Sequence, residues 1–83
     1  MKIVLVEWND TYEMEAGWHA LEDAKKWKPY TCCSVGYLLV EHDDHIVICA
    51  DSGVNDNTEV GRVQAIPRSC INKVVKLEKG LYV

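Results

Sequence analysis

The sequence predicts a mainly β domain, a small five-stranded barrel of the SH3/Sm-like kind that carries one short α-helix. Three observations predict it. Five short apolar runs are separated by clusters of turn-forming residues. A single segment, residues 18–27, switches to helical period. Short, curved strands with little covering helix also remove their exposed edges best by closing on themselves. The 83 residues make one domain, 1–83, with no repeat, linker or low-complexity tract.

Residues 3–8 form a nearly continuous apolar run rich in β-branched side chains, the pattern of a strand covered on both faces. Asn9, Asp10 and Thr11 break it with turn chemistry. In the helical segment, Ala20, Leu21, Ala24 and Trp27 share one face, and Glu22, Asp23, Lys25 and Lys26 the other. Gly17 is the expected N-cap, and Pro29 forbids continuation. A helix of about two to three turns persists only if it packs on the sheet.

Residues 34–41 alternate, with Val35, Tyr37 and Leu39 on one face and Gly36, Leu38 and Val40 on the other. Asp43 and Asp44 turn the chain into an apolar strand over 46–50, giving a hairpin. Residues 51–58 are a polar loop. Residues 59–66 form the next strand, in which Gly61 marks an expected bulge or close backbone approach. Pro67 ends that strand, Arg68-Ser69-Cys70 is a tight connection, and residues 71–77 are the last strand. Leu5, Val35, Leu39, Val47, Val63, Val75 and Leu77 are the expected core.

Composition narrows the function. Thirteen acidic residues against nine Lys and Arg give a net charge of −4, which opposes binding to long nucleic acid. The apolar N-terminal run reaches Glu7 too soon for a signal segment or a membrane span, so no membrane partner is expected. The four cysteines include no CxxC pair and no spaced disulfide framework, as expected of free thiols in a reducing cytosol. Adjacent Cys32 and Cys33 point to opposite faces of a strand, and Cys49 and Cys70 read as small buried hydrophobes. A domain this small is marginally stable alone, which makes self-association the expected stabiliser.

Catalytic groupings are missing. His42 and His45 bracket Asp43 and Asp44 in a hairpin turn. That placement suits a hydrated turn better than a metal site or a general base. No glycine-rich loop opens a helix. The expectation is a protein that is not an enzyme and needs no cofactor or metal. The aromatic residues are three Trp and four Tyr with no Phe, so every ring carries a polar handle. That bias favours binding surfaces. Trp8, Tyr12 and Trp18 surround a polar loop on which a base could stack while Asp10 and Thr11 read its edge. Packing of Trp8 and Trp18 between helix and barrel explains each of these rings equally well. Arg62 and Arg68 are the only arginines. Arg68, in a tight turn, could present its guanidinium to phosphate, whereas Lys25, Lys26 and Lys28 read as a solvated helix face.

Trp8-Asn9-Asp10-Thr11, Gly17-Trp18, Ser34-Val35-Gly36-Tyr37-Leu38 and Ile66-Pro67-Arg68 with Ile71 close behind follow in order along the chain. This series resembles a group of very small bacteriophage proteins that share W-x-D, G-W, S-V-G-aromatic-L and I-P-[KR] motifs. That group is in turn similar to phage anti-CBASS proteins of the fourth type. These sponges sequester cyclic nucleotide signals in oligomers without cleaving them. The resemblance runs from Trp8 to Leu77. It implies a ligand near Trp8, Asp10, Thr11 and Trp18, with Arg68 at the phosphates, in the cytoplasm of a bacterial host.

The expected function is therefore sequestration of a cyclic oligonucleotide by a homo-oligomer, dimer or tetramer. Nanomolar binding needs about −12 kcal/mol. Two stacked bases supply roughly 2–6 kcal/mol and an Arg–phosphate contact about 1.5–3. One small subunit falls short, which ties the sponge reading to a shared pocket. The alternatives are an Sm-like RNA-binding protein, which the acidic charge opposes, and a phage protein that inhibits a host protein by direct contact.

Overall fold

A computed structural model of the chain describes residues 1–53, 55 and 58–77. The order is β1 (Ile3–Asp10), α1 (Leu21–Lys25), β2 (Tyr30–Glu41), β3 (His45–Ser52), β4 (Val60–Pro67), a 3₁₀ turn (Arg68–Cys70) and β5 (Ile71–Leu77). The five strands form one antiparallel sheet in the order β4-β3-β2-β1-β5. The mainly β class and the strand count agree with the sequence. Closure by hydrogen bonds does not form among the described residues, because β4 and β5 are the two edges, linked through the 3₁₀ turn.

The sheet curls so that side chains from both edges meet. Val4, Val6, Ile46, Ile48 and Ile66 form the buried core, and Trp8, Leu38, Ile71 and Val74 pack against it. This is the opposite face from the one expected. Val35 is 56% exposed and Val63 54%, Val75 and Leu39 are also exposed, and Leu5, Val47 and Leu77 are only half-buried. Both faces of these strands are apolar, so alternation cannot choose between them.

Curvature makes the choice. A side chain on the inner face of β2 has little room, and Gly36 stands there. A Cβ at Gly36 would lie 2.6 Å from the Cys49 carbonyl oxygen of β3, closer than van der Waals contact allows. Glycine at this position lets the two backbones approach, and the sheet bends towards its side. The face that carries Gly36 thus becomes the inside.

Three local expectations are corrected. Asn9 and Asp10 do not end β1; they pair with Thr31 and Tyr30, so β2 begins four residues before Ser34. The helix is five residues long, starts after Ala20 rather than at Gly17, has no side-chain cap and buries nothing. It does not cover the sheet, because no apolar stripe survives in so short an element. In β4 no close backbone approach requires Gly61, where a Cβ would meet only the Asp51 side chain at 3.6 Å, and the irregular residue is Arg62, at φ 50°. Its guanidinium grips Asp51 through Nε–Oδ2 at 2.8 Å and Nη2–Oδ1 at 3.0 Å. Of the expected polar loop, Val54, Asp56 and Asn57 lie outside the described residues. No helix among the described residues is long and apolar enough to cross a membrane.

Candidate aromatic and lysine cleft

The β1–β2 ribbon ends in the register pair Asp10–Tyr30. Alternation puts Trp8, Asp10, Tyr30 and Ser34 on one side of this ribbon. The arm, residues 11–29, leaves β1 at Asp10 and returns into β2 at Tyr30, which sets its two ends side by side. Tyr12 near the start and Trp27 near the finish meet as a stacked pair, with ring centroids 4.9 Å apart and planes 21° from parallel. The Trp27 indole N–H donates to the Tyr12 carbonyl oxygen. Tyr30 tilts against Tyr12 at 5.4 Å.

Lys26, Lys28 and Pro29 complete an open cleft of about 340 Å³ around these three rings. Its chemistry is aromatic faces edged by ammonium groups, which suits a planar, anionic molecule. Lys25, by contrast, turns to Glu22 at 3.7 Å. A second concavity, of about 270 Å³, is lined by Asp51 and Glu59, and its carboxylates would repel an anion.

The expected site residues divide. Asp10 and Thr11 are exposed, Asp10 as the register partner of Tyr30 and Thr11 just before Tyr12, but neither lines the aromatic cleft. Trp8 is not free. Its ring lies on the core, and its Nε1 donates to Ser34 Oγ at 3.0 Å. Trp18 is fully exposed, at 102%, in the middle of the arm, and forms no ring contact. Arg68 sits where the 3₁₀ turn packs against β1 and β3. Its Nε donates to the His42 carbonyl oxygen at 3.2 Å and its Nη2 lies 3.6 Å from Glu41. Its backbone N–H closes the hairpin turn on the Asp44 carbonyl oxygen at 2.8 Å. Arg68 therefore clamps the β2–β3 turn to the end of β4.

Trp27, Tyr30, Lys26 and Lys28 are absent from the expected site. The signal for them was the run Lys26-Trp27-Lys28-Pro29-Tyr30, basic residues interleaved with aromatics. In the sequence its lysines read as a helix face, but the helix ends at Lys25.

The hairpin turn holds the other polar cluster. His45 Nδ1 donates to Asp44 Oδ1 at 2.6 Å, and this bond chiefly holds the Asp44 carboxyl below the usual carboxylate range. Asp51 is lowered in the same sense by the Arg62 guanidinium, whose own pKa is raised in return. The four cysteines are free thiols, with Cys49 buried. No group of three or more His, Cys, Asp or Glu among the described residues is placed to hold a metal.

No protein-family model matches this chain, and no curated protein or solved structure is significantly similar to it.

Proposed function

We propose that this protein binds a cyclic oligonucleotide and holds it uncleaved, as a phage immune-evasion sponge working in the cytoplasm of its bacterial host. The observation that supports this reading is the Tyr12–Trp27–Tyr30 ring cluster edged by Lys26 and Lys28. A base stacks on the open face of the ring pair. The two ammonium groups meet phosphate as mobile point charges. Asp10 and Thr11, beside Tyr30 and Tyr12 in turn, accept and donate hydrogen bonds to a base edge. Trp18, projecting from the arm, offers a second stacking surface. Arg68, beside Glu41 at the opposite end of β2 from Tyr30, contributes to phosphate binding across the oligomer, exchanging its contact with Glu41 for a ligand held in a neighbouring subunit's cleft. Trp8 holds the ribbon that carries the cleft and does not touch the ligand. One open cleft encloses a ligand poorly, so the reading includes a dimer or tetramer in which cleft and arm of neighbouring subunits close on the same molecule.

Titration of the purified protein with a 3′,5′-cyclic dinucleotide, a cyclic trinucleotide, the linear dinucleotide and a mononucleotide tests this. A cyclic species should bind most tightly and be recovered intact after heat denaturation of the protein. Recovery of hydrolysed nucleotide, or no saturable binding of either cyclic species, overturns it. Arg68→Ala should weaken binding by about 1.5–3 kcal/mol and lower its salt sensitivity.

A further inference from the structure

No described helix or strand packs on the outer face of the sheet. Val75, Leu5 and Val35 are register partners across β5, β1 and β2. The next row runs through Leu77, Ile3, Tyr37, Cys49 and Val63 and crosses all five strands. Ile3, Val35 and Tyr37 of this face also line a shallow groove of about 200 Å³ that reaches Gly36 and Ala50. Neither row contains a charge, but the row beside Leu5 on the same face is Lys73, Glu7 and Cys33, with Glu7 and Lys73 register partners of opposite sign. Further polar groups border the face. At one end Thr31, Asn9 and Asn72 form a hydrogen-bonded ladder across β2, β1 and β5. At the other lies the Arg62–Asp51 pair. An apolar centre with a polar rim is the anatomy of an interface, and soluble monomers seldom leave such a patch open.

The surface area is large enough for a second copy. A compact chain of 9.4 kDa exposes about 5,000 Å², whereas this one exposes 6798 Å². The excess of roughly 1,800 Å² exceeds the ~800 Å² that each partner contributes to a standard interface. Its radius of gyration is 16.8 Å, against about 12 Å for a compact domain of this length. Part of that excess area belongs to the arm, residues 11–29, which is exposed almost throughout, and the outer face supplies apolar area of its own for a contact of standard size. A face with two apolar rows, flanked by the oppositely charged partners Glu7 and Lys73 and by the Arg62–Asp51 pair, can pack against itself about a two-fold axis without bringing like charges together.

We infer that the outer face, centred on Val35 and Val63, is the surface on which a second copy of this chain docks. Bound nucleotide is not needed for this contact, so the inference stands or falls apart from the sponge reading.

Sedimentation of the ligand-free protein tests it. The wild type should sediment at twice 9.4 kDa or more, and Val35→Glu or Val63→Glu should raise the dissociation constant roughly 30-fold or more. Both positions are exposed in one copy, so each variant should keep a β circular dichroism spectrum. If a glutamate variant fails to fold, Val35→Thr, which preserves shape and strand preference, should still weaken association roughly tenfold. A wild type that stays monomeric at high concentration overturns the inference and leaves the face to a different protein. Folded variants that associate as tightly as the wild type overturn it as well.

Discussion

In the sheet, Trp8 lays its ring on the core and spends its indole N–H on Ser34, 26 residues away in sequence. In the arm, Trp27 stacks on Tyr12 at the rim of an open cleft, and Trp18 touches nothing. The same residue type, with the same polar handle, closes the fold in one region and remains available to a ligand in the other. The difference lies in the neighbours. Trp8 is followed across β1 and β2 by residues paired in long-range register, which fix its ring. The arm has only a five-residue helix without a side-chain cap, so its rings order one another and little else. The motif residues follow the same division. Trp8 and Ser34 share a hydrogen bond, Gly36 admits the β3 backbone, and Ile66 and Ile71 belong to the core or pack on it. Those motifs are accounted for by folding, whereas among the described residues the rings of the aromatic cleft stack on one another.

The contrast makes quantitative predictions. Trp8→Ala should be the most damaging change, costing about 3 kcal/mol of stability through lost packing and an orphaned Ser34. Denaturant unfolding measures it, and a loss below about 1 kcal/mol would return Trp8 to the candidate ligand residues. Gly36→Ala should follow at about 2–3 kcal/mol, because its methyl meets backbone rather than a movable side chain. The same unfolding experiment reads it, and a neutral result would break the account of why the sheet curls towards this face.

Trp27→Ala should invert the pattern. Stability should change by less than about 1 kcal/mol, while calorimetric affinity for a cyclic dinucleotide drops by about 1–3 kcal/mol. Equal losses in both would make the cleft a structural feature. The smallest effect is on pH. Asp44 and Asp51 titrate below the ordinary range because His45 and Arg62 hydrogen-bond their charged forms. Each therefore favours the folded state fully above about pH 4 and loses that contribution as pH falls through its lowered value. Both groups are solvent-exposed, so only a slight fall in melting temperature below that pH is expected, and Asp44→Asn should reduce it.

The sequence determined the class of this protein, because strand and turn are local properties. Short β-branched runs, Asp43-Asp44 at the hairpin and Pro67 before the 3₁₀ turn specify elements whose signals lie within a few residues of one another. The side of the sheet that became the core was not local. Leu5, Val35 and Val63 are as apolar as Val4, Val6 and Ile66, and only the near contact between Gly36 and the Cys49 carbonyl, 13 residues apart, decides which face is concave. The site was divided in the same way. Asp10, Thr11 and the surplus of polar-tipped rings were legible as candidates, but the meeting of Tyr12 with Trp27 depends on β1 and β2 bringing both ends of the arm together. Arg68 looked free because its sequence neighbours are small. The His42 carbonyl and Glu41 that hold it belong to the far end of another strand. Periodicity reports which residues could be inside. Curvature and strand pairing, which act between residues distant in the chain, decided which of them are.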